Sequence, residues 1–162
     1  MSVRQTIESA FAQVGYPGDD NIIHCICPIC RNIAAYFRGT RWEVHSLESL
    51  RKHQLALSLF TPEAFRYFLP AFMTRTLDAW SETCLIPFLI TKQFLPLREE
   101  ENPHRQQHRE QRLTILSPAQ RAAVIAYLRA YAASGTALAS EDIPRAIARL
   151  EAVDRCPAPA EQ

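Results

Sequence analysis

The sequence predicts an all-α protein, a single compact domain of about six helices with a cysteine-rich loop near its N-terminus. Three observations support this fold class. Glycine is scarce, with 4 residues, whereas proline is common, with 11, and several prolines fall where helices can begin. Apolar residues recur at spacings of three and four along most of the chain. No pair of segments shows the alternation that paired strands require.

Length, charge and hydropathy narrow the class of protein. A chain of 162 residues can form one domain that buries its own core. The formal net charge is only +1, so the chain lacks the concentrated basic surface that nonspecific nucleic-acid binding or a polybasic membrane anchor requires. The most apolar run, residues 85–90, is far shorter than the ~20 residues that span a bilayer. Because the N-terminus also lacks the apolar segment of a signal peptide, we expect a cytoplasmic protein.

The N-terminal third carries three helix signals. The first helix is expected over residues 2–14, with Ser2 as its cap and the turn residues GYPGDD after its end. A short helix is expected over about 29–39, where a glycine stops it. Another is expected over about 46–57, with Ser46 as its cap.

A longer helix follows and is expected to form the centre of the core. Thr61 offers an N-cap side chain, and Pro62 suits the first helical position because its missing N–H needs no partner there. From Pro62 to about Trp80, aromatic and aliphatic residues recur every three or four positions. A shorter helix is expected over about 84–93.

The C-terminal part begins with a polar run and ends with two helices. Residues 98–112 contain no aliphatic or aromatic residue, so we expect a solvated loop or extension there. Ser117 then begins a helix with the capping-box pattern, and Ser140 begins the last helix. The sequence therefore predicts one helical domain over residues 1–155, followed by a disordered tail over 156–162.

The sharpest functional signal is HCICPIC, residues 24–30, which holds three of the five cysteines. Cysteine thiolates bind Zn(II), which accepts soft sulfur ligands in a tetrahedron. Cys27 and Cys30 have the two-residue spacing that lets both sulfurs reach one ion, and Cys25 can supply a third ligand if the chain turns tightly. Without an export signal, clustered cysteines indicate metal binding rather than a disulfide framework. We therefore predict a structural site for Zn(II).

A closed structural site needs a fourth ligand from elsewhere in the chain. His53 is the preferred residue, since its helix is expected to pack beside the short helix that follows the cysteines. His24, His45 and Cys84 are the alternatives, although His24 is too near the cysteines in sequence to reach the same ion without strain. An iron–sulfur cluster would need a fourth cysteine, either Cys84 or Cys156.

Other interpretations of these residues compete with a structural metal site. Buried free thiols behave as small hydrophobic side chains and need no metal. A catalytic zinc would keep an open position with a carboxylate nearby, but Asp19 and Asp20, the acids closest in sequence, lie in a pattern typical of a turn. His104 and His108 have helical spacing but lie in the polar run, which favours a solvated surface.

Four stretches form an ordered pattern: YPGDDNII, then CICPIC with GTRW, then LRKHQLALSLFTPEAFRYFLPAFM, then LSPAQRAAVIAYL. Together they resemble a family of small bacterial proteins of unknown function over roughly residues 5–130. The resemblance implies no activity. It implies that His53 and the cysteines belong to one recurring frame, in agreement with the predicted site. Against this pattern, residues 98–112 look like a variable loop, and the C-terminal helix lies outside it.

These observations favour a non-enzymatic protein that carries one structural zinc and acts by binding another protein. An immunity protein that neutralises a bacterial toxin is the concrete form of this hypothesis. The alternative is a zinc-dependent hydrolase, in which fewer than four protein ligands leave a metal position open to water. We expect neither nucleic acid nor a membrane as a partner.

Overall fold

Side-chain caps begin four of the helices at the residues that the sequence indicates. The hydroxyl oxygens of Ser2, Ser46, Thr61 and Ser117 each accept a hydrogen bond from the backbone amide three residues further along. Such a bond satisfies one of the amides that the first turn of a helix leaves without a partner. These local contacts explain why the predicted helix starts were reliable.

The computed structural model describes residues 1–83, 85–96, 98 and 102–155 of the chain. They form one all-helical domain, with no β-strand in the part of the chain described. The helices are α1 (Val3–Phe11), α2 (Pro28–Phe37), α3 (Leu47–Lys52), α4 (Ala56–Leu59), α5 (Pro62–Thr76), α6 (Ile86–Gln93), α7 (Pro103–Ile115), α8 (Pro118–Ala133) and α9 (Asp142–Val153), with short 3₁₀ helices at Trp42–Val44 and Trp80–Glu82.

Helix α5 lies at the centre of the domain. It is apolar on nearly all sides, and 11 of its 15 residues are buried. Helices α1, α3, α6 and α7 pack around it, while α8 closes the domain by contacting both α1 and α9. None of the described helices is both long enough and apolar enough to cross a lipid bilayer.

An aromatic cluster fixes α2 against this core. Phe37, at the end of α2, contacts Phe60 and Phe68 with ring centroids 5.0 and 4.8 Å away. Ile33 and Cys30 continue the same buried face toward the start of α2. The start of α2, where the predicted metal site lies, is therefore held in place by the packing of the whole helix.

The expected number of helices was too low. The described residues contain nine α-helices rather than about six. One reason is that the helix expected over 46–57 is divided into α3 and α4. The backbone of His53 leaves the helical region at φ −113°, ψ 23°, which ends α3 there.

Residues 103–112, part of the segment expected over 98–112 as a solvated loop or extension, belong to α7 and are not a loop. The side chain of Asn102 accepts a hydrogen bond from the amide of His104, and Pro103 occupies the first helical position. One face of α7 packs against α5 and buries Arg112. The sequence did not predict this helix because the one residue of 103–112 that it buries, Arg112, is polar rather than aliphatic, and the others stay exposed or half-buried. The predicted tail, residues 156–162, lies outside the described residues.

Candidate metal centre

The loop between α1 and α2 is anchored to the start of α5. Ile22 is buried, and its carbonyl oxygen accepts a hydrogen bond from the amide of Thr61 at 3.0 Å. The hydroxyl of Thr61 donates to the carbonyl oxygen of Asn21 at 2.8 Å. The chain therefore leaves a fixed point at Ile22 and reaches α2 within a few residues.

Cys27 is the N-cap of α2. Its backbone is extended, at φ −63° and ψ 159°, and its Sγ accepts a hydrogen bond from the amide of Cys30 at 3.4 Å. Pro28 follows in the first helical position, where a proline costs no hydrogen bond. The sequence CPIC thus places the Cys27 sulfur over the first turn of α2, beside the Cys30 side chain.

The sulfur atoms of Cys25, Cys27 and Cys30 all lie within 4.8 Å of one another. Cys25 and Cys27 are exposed, and Cys30 is only 2% exposed. In a tetrahedral zinc site with Zn–S bonds of ~2.3 Å, two sulfurs are about 3.8 Å apart. Small side-chain rotations would satisfy that distance, so these three cysteines could hold a metal ion.

The three thiols differ in their electrostatic surroundings. The hydrogen bond from the Cys30 amide lowers the pKa of Cys27 and so favours the thiolate, the form that binds metals. Burial, followed by the neighbouring thiols of Cys25 and Cys27, raises the pKa of Cys30 to about 12. Cys30 is therefore a neutral thiol in the absence of a cation. A coordinated metal removes such a proton, which makes metal affinity dependent on pH.

The structure does not bring His53 to the three sulfurs. Its ring stacks on Tyr36, with centroids 4.1 Å apart and planes 21° apart. Tyr36 follows Cys30 by six residues, about 9 Å along the axis of α2. Within the described ranges, no fourth His, Cys, Asp or Glu joins the cysteine group. Cys84 and Cys156 lie outside those ranges.

His45 is committed to other hydrogen bonds. It is 3% exposed, with its Nδ1 2.8 Å from the hydroxyl of Tyr36 and its Nε2 3.0 Å from that of Thr40. The Thr40 hydroxyl donates its proton to the carbonyl oxygen of Phe37, so it accepts from His45 Nε2. Tyr36 then donates to Nδ1. The neutral Nε2–H form of His45 is therefore fully paired and has no nitrogen left for a metal.

Two further sequence candidates are also engaged elsewhere. The Nε2 of His24 lies 3.1 Å from the side-chain oxygen of Asn21. The carboxylate of Asp19 accepts a hydrogen bond from the hydroxyl of Tyr16 at 2.7 Å, as expected for a residue that stabilises a turn. The described part of the chain therefore offers a three-sulfur group.

Sequence reasoning missed a second group of polar residues on α7. Arg105, His108, Arg109 and Arg112 line one cleft beside α4 and α6. The spacing of three, four and seven residues is the signal that could have identified this face once the helix start at Asn102 was recognised.

Similarity to known proteins extends over most of the chain but only at the level of a family. No curated protein matches the chain, and no solved structure matches it. A family model matches residues 30–150, so the match begins at Cys30, leaves out Cys25 and Cys27, and extends past the region of the resemblance into α9. The chain therefore belongs to DUF6714, a family of unknown function.

Proposed function

We propose that the protein binds one zinc ion through Cys25, Cys27 and Cys30. The observation that supports this is the mutual approach of the three sulfurs at the start of a fixed helix. Zinc suits three thiolates together with one further ligand, whereas an iron–sulfur cluster prefers four cysteines. In this proposal the zinc has a structural role, because it ties the tip of the loop to the first turn of α2.

A zinc ion at the three cysteines would order only the part of the loop next to it. The loop is already attached to α5 at Asn21 and Ile22 through Thr61. A metal at the cysteines would therefore order residues 23–27 and leave the packing of the other helices unchanged. Loss of the metal should increase hydrogen exchange in this segment without unfolding the domain.

The direct test is the metal content of the purified protein. We would compare the wild-type protein with C25S/C27S and with the control C156S, all without a His-tag, by elemental mass spectrometry. Cys25 and Cys27 are exposed, and serine at position 27 retains a helix cap, so the double variant should fold. We expect one zinc per chain in the wild type and in C156S, and none in C25S/C27S. Wild-type protein without metal, even after zinc is added, would refute the proposal.

The fourth ligand needs its own experiment. X-ray absorption spectroscopy at the zinc edge separates sulfur from nitrogen or oxygen ligands. A signal from three sulfurs that C84S and H53Q leave unchanged would mean that a water or an external ligand completes the site. A fourth sulfur that disappears in C84S would identify Cys84 as the ligand.

We further propose that the zinc-bound loop binds another protein. Two large apolar side chains face solvent here, Ile26 in the loop, 75% exposed, and Ile29 in the first turn of α2, 59% exposed. A single exposed apolar residue is ordinary, but two beside a cross-linked loop form an anchor that a partner can bury. The concrete partner that we propose is a bacterial toxin, which the chain would neutralise as an immunity protein.

This proposal is tested by affinity purification from the native host. The wild-type protein should retain one stoichiometric partner, and I26S/I29S should lose it. Val44→Ser is the matched control, because Val44 is similarly exposed outside the loop. A protein that stays alone, or a partner that both variants retain equally, would contradict the role of the loop.

A zinc-dependent hydrolase is the second candidate. The observation in its favour is that three protein ligands leave a fourth position, as catalytic zinc sites do. Such an enzyme also needs a side chain that transfers protons, and Asp19 is the acid that we would test for this role. Its carboxylate accepts a hydrogen bond from the hydroxyl of Tyr16, so this contact would have to break or rearrange during the reaction. Hydrolysis that is lost in both C25S/C27S and Asp19→Asn would favour this candidate over a structural zinc.

A further inference from the structure

Arg112 is a buried cation held by neutral groups. Its side chain is 2% exposed. One terminal nitrogen donates to Gln93 Oε1 at 2.5 Å, and the other donates to the carbonyl oxygen of Phe60 at 2.6 Å. The guanidinium also lies over the ring of Phe65, 5.1 Å from its centroid. The Nε atom is buried and has no hydrogen-bond partner.

No Asp or Glu in the described segments forms an ion pair with Arg112. Burial, with a smaller contribution from the charge of Arg109, lowers the pKa of Arg112 to about 10. A buried charge is normally paired, because its removal from water is expensive. The contact with Phe65 offsets only part of this cost. Within the described part of the chain, no neighbour of Arg112 therefore neutralises its positive charge.

A cleft of about 350 Å³ adjoins Arg112. Arg105, His108 and Arg109 extend the positive charge along its α7 wall, and none of the described residues that line it is acidic. Ser58, on the opposite wall, accepts a hydrogen bond from Gln93 Nε2 at 3.2 Å. The Ser58 hydroxyl hydrogen therefore remains available to a ligand.

We propose that this cleft, formed by α4, α6 and α7, binds the phosphate group of a small ligand. Guanidinium groups match the oxygen geometry of phosphate, and a dianion balances more of the clustered charge than a carboxylate does. The volume lies at the lower end for small-molecule sites, which fits a compact ligand. The charge of Arg112 under the cleft would act on the anion at short range, while Arg105 and Ser58 donate hydrogen bonds.

This site is independent of the cysteine cluster, and the experiment keeps the two apart. The probe is inorganic phosphate, titrated by calorimetry into the full chain, with sodium chloride at equal ionic strength as the reference. C25S/C27S is included because an open zinc position can also bind phosphate. Binding that persists in C25S/C27S excludes the metal as the source.

Two arginine variants locate the ion. Arg105→Gln removes an exposed charge from the cleft and should weaken phosphate binding about tenfold. Arg129→Gln removes an exposed charge from α8, which lines a different groove, and should leave binding unchanged. The ring resonances of His108 should shift with phosphate in the wild type, and the pKa of His108 should rise, because a nearby anion favours its charged form.

Three results would overturn the proposal. The first is the absence of phosphate binding to the wild-type chain. The second is equal binding in Arg105→Gln and Arg129→Gln, which would place the ion outside the cleft. The third is acetate that binds as tightly as phosphate. Glycerol phosphate in place of phosphate distinguishes a site for an ester from one for the free ion.

Discussion

The buried histidine of the aromatic cluster makes the stability of this protein dependent on pH. Burial, with smaller contributions from the charges of His53 and Arg75, lowers the pKa of His45 from its ordinary value of 6.5 to about 4. The pKa is lowered because both ring nitrogens of neutral His45 are already paired. A second ring proton would have to sit on Nδ1, which accepts the hydrogen bond from the Tyr36 hydroxyl. The unfolded chain therefore takes up this proton at a higher pH than the folded protein does.

The size and sign of this pH dependence follow from the difference in the pKa of His45 between the folded and unfolded states. The contribution of His45 is fully present above pH 6.5 and is lost as the pH falls through about 4. The difference in pKa corresponds to a loss of about 3 kcal/mol in the free energy of unfolding. His53 and His108 also have lowered pKa values and act in the same direction. A comparison that removes only His45 is therefore needed.

The variant is His45→Gln, whose amide can accept from Tyr36 and donate to Thr40 without a titratable group. Urea unfolding followed by circular dichroism would be measured for both proteins, with a chelator present, from about pH 7.5 to about pH 4. The wild type should lose about 3 kcal/mol more than the variant over this range. Parallel pH profiles would refute the reasoning, because His45 would then titrate alike in the folded and unfolded states.

Two further predictions concern single contacts. Thr76→Val should lower the free energy of unfolding by about 1–3 kcal/mol, because it leaves the buried Tyr127 hydroxyl without its partner at 2.7 Å. Tyr127→Phe removes that hydroxyl and should lower the free energy of unfolding by only about 1 kcal/mol. Urea unfolding of both variants checks this order, and the reverse order would contradict it. Both Gly135 and Gly15 have space for a methyl group, but only Gly135 has a positive φ, +76°. Gly135→Ala should therefore lower the free energy of unfolding by about 1 kcal/mol, whereas Gly15→Ala should change it little. Thermal unfolding compares the two, and equal midpoints would contradict the argument.

The helix starts could be predicted because they depend on neighbours in sequence. Ser2, Thr61 and Ser117 bond to amides three residues away, so no distant packing alters them. The all-α class followed from the same local patterns. The proximity of the three cysteines was also predictable, because a tight turn into the cap of α2 brings them together within six residues.

The rest depended on contacts between distant parts of the chain. His53 was expected at the cysteines, but α3 places its ring against Tyr36, beyond the middle of α2. The spacing of apolar residues shows which face of a helix is buried, but not which part of α2 the residue at the end of α3 will contact. Helix α7 was missed for a different reason, since Arg112 is buried by hydrogen bonds to Gln93 and Phe60 that no apolar pattern reveals.

The packing of α1 has a practical consequence for the segment that the family shares. Ile7 and Phe11 are completely buried, and the carbonyl oxygen of Ala10 accepts a hydrogen bond from Gln120 in α8 at 3.2 Å. Each such apolar side chain contributes about 1.5–3 kcal/mol, and a domain has only about 5–15 kcal/mol in total. A recombinant fragment that begins at residue 30 would lack α1 and would therefore expose the apolar surface of α5 and α8 that α1 covers. We expect such a fragment to aggregate. The segment that matches the family is thus shorter than the part of the chain that folds cooperatively. A fragment for expression should begin before Val3, where α1 starts.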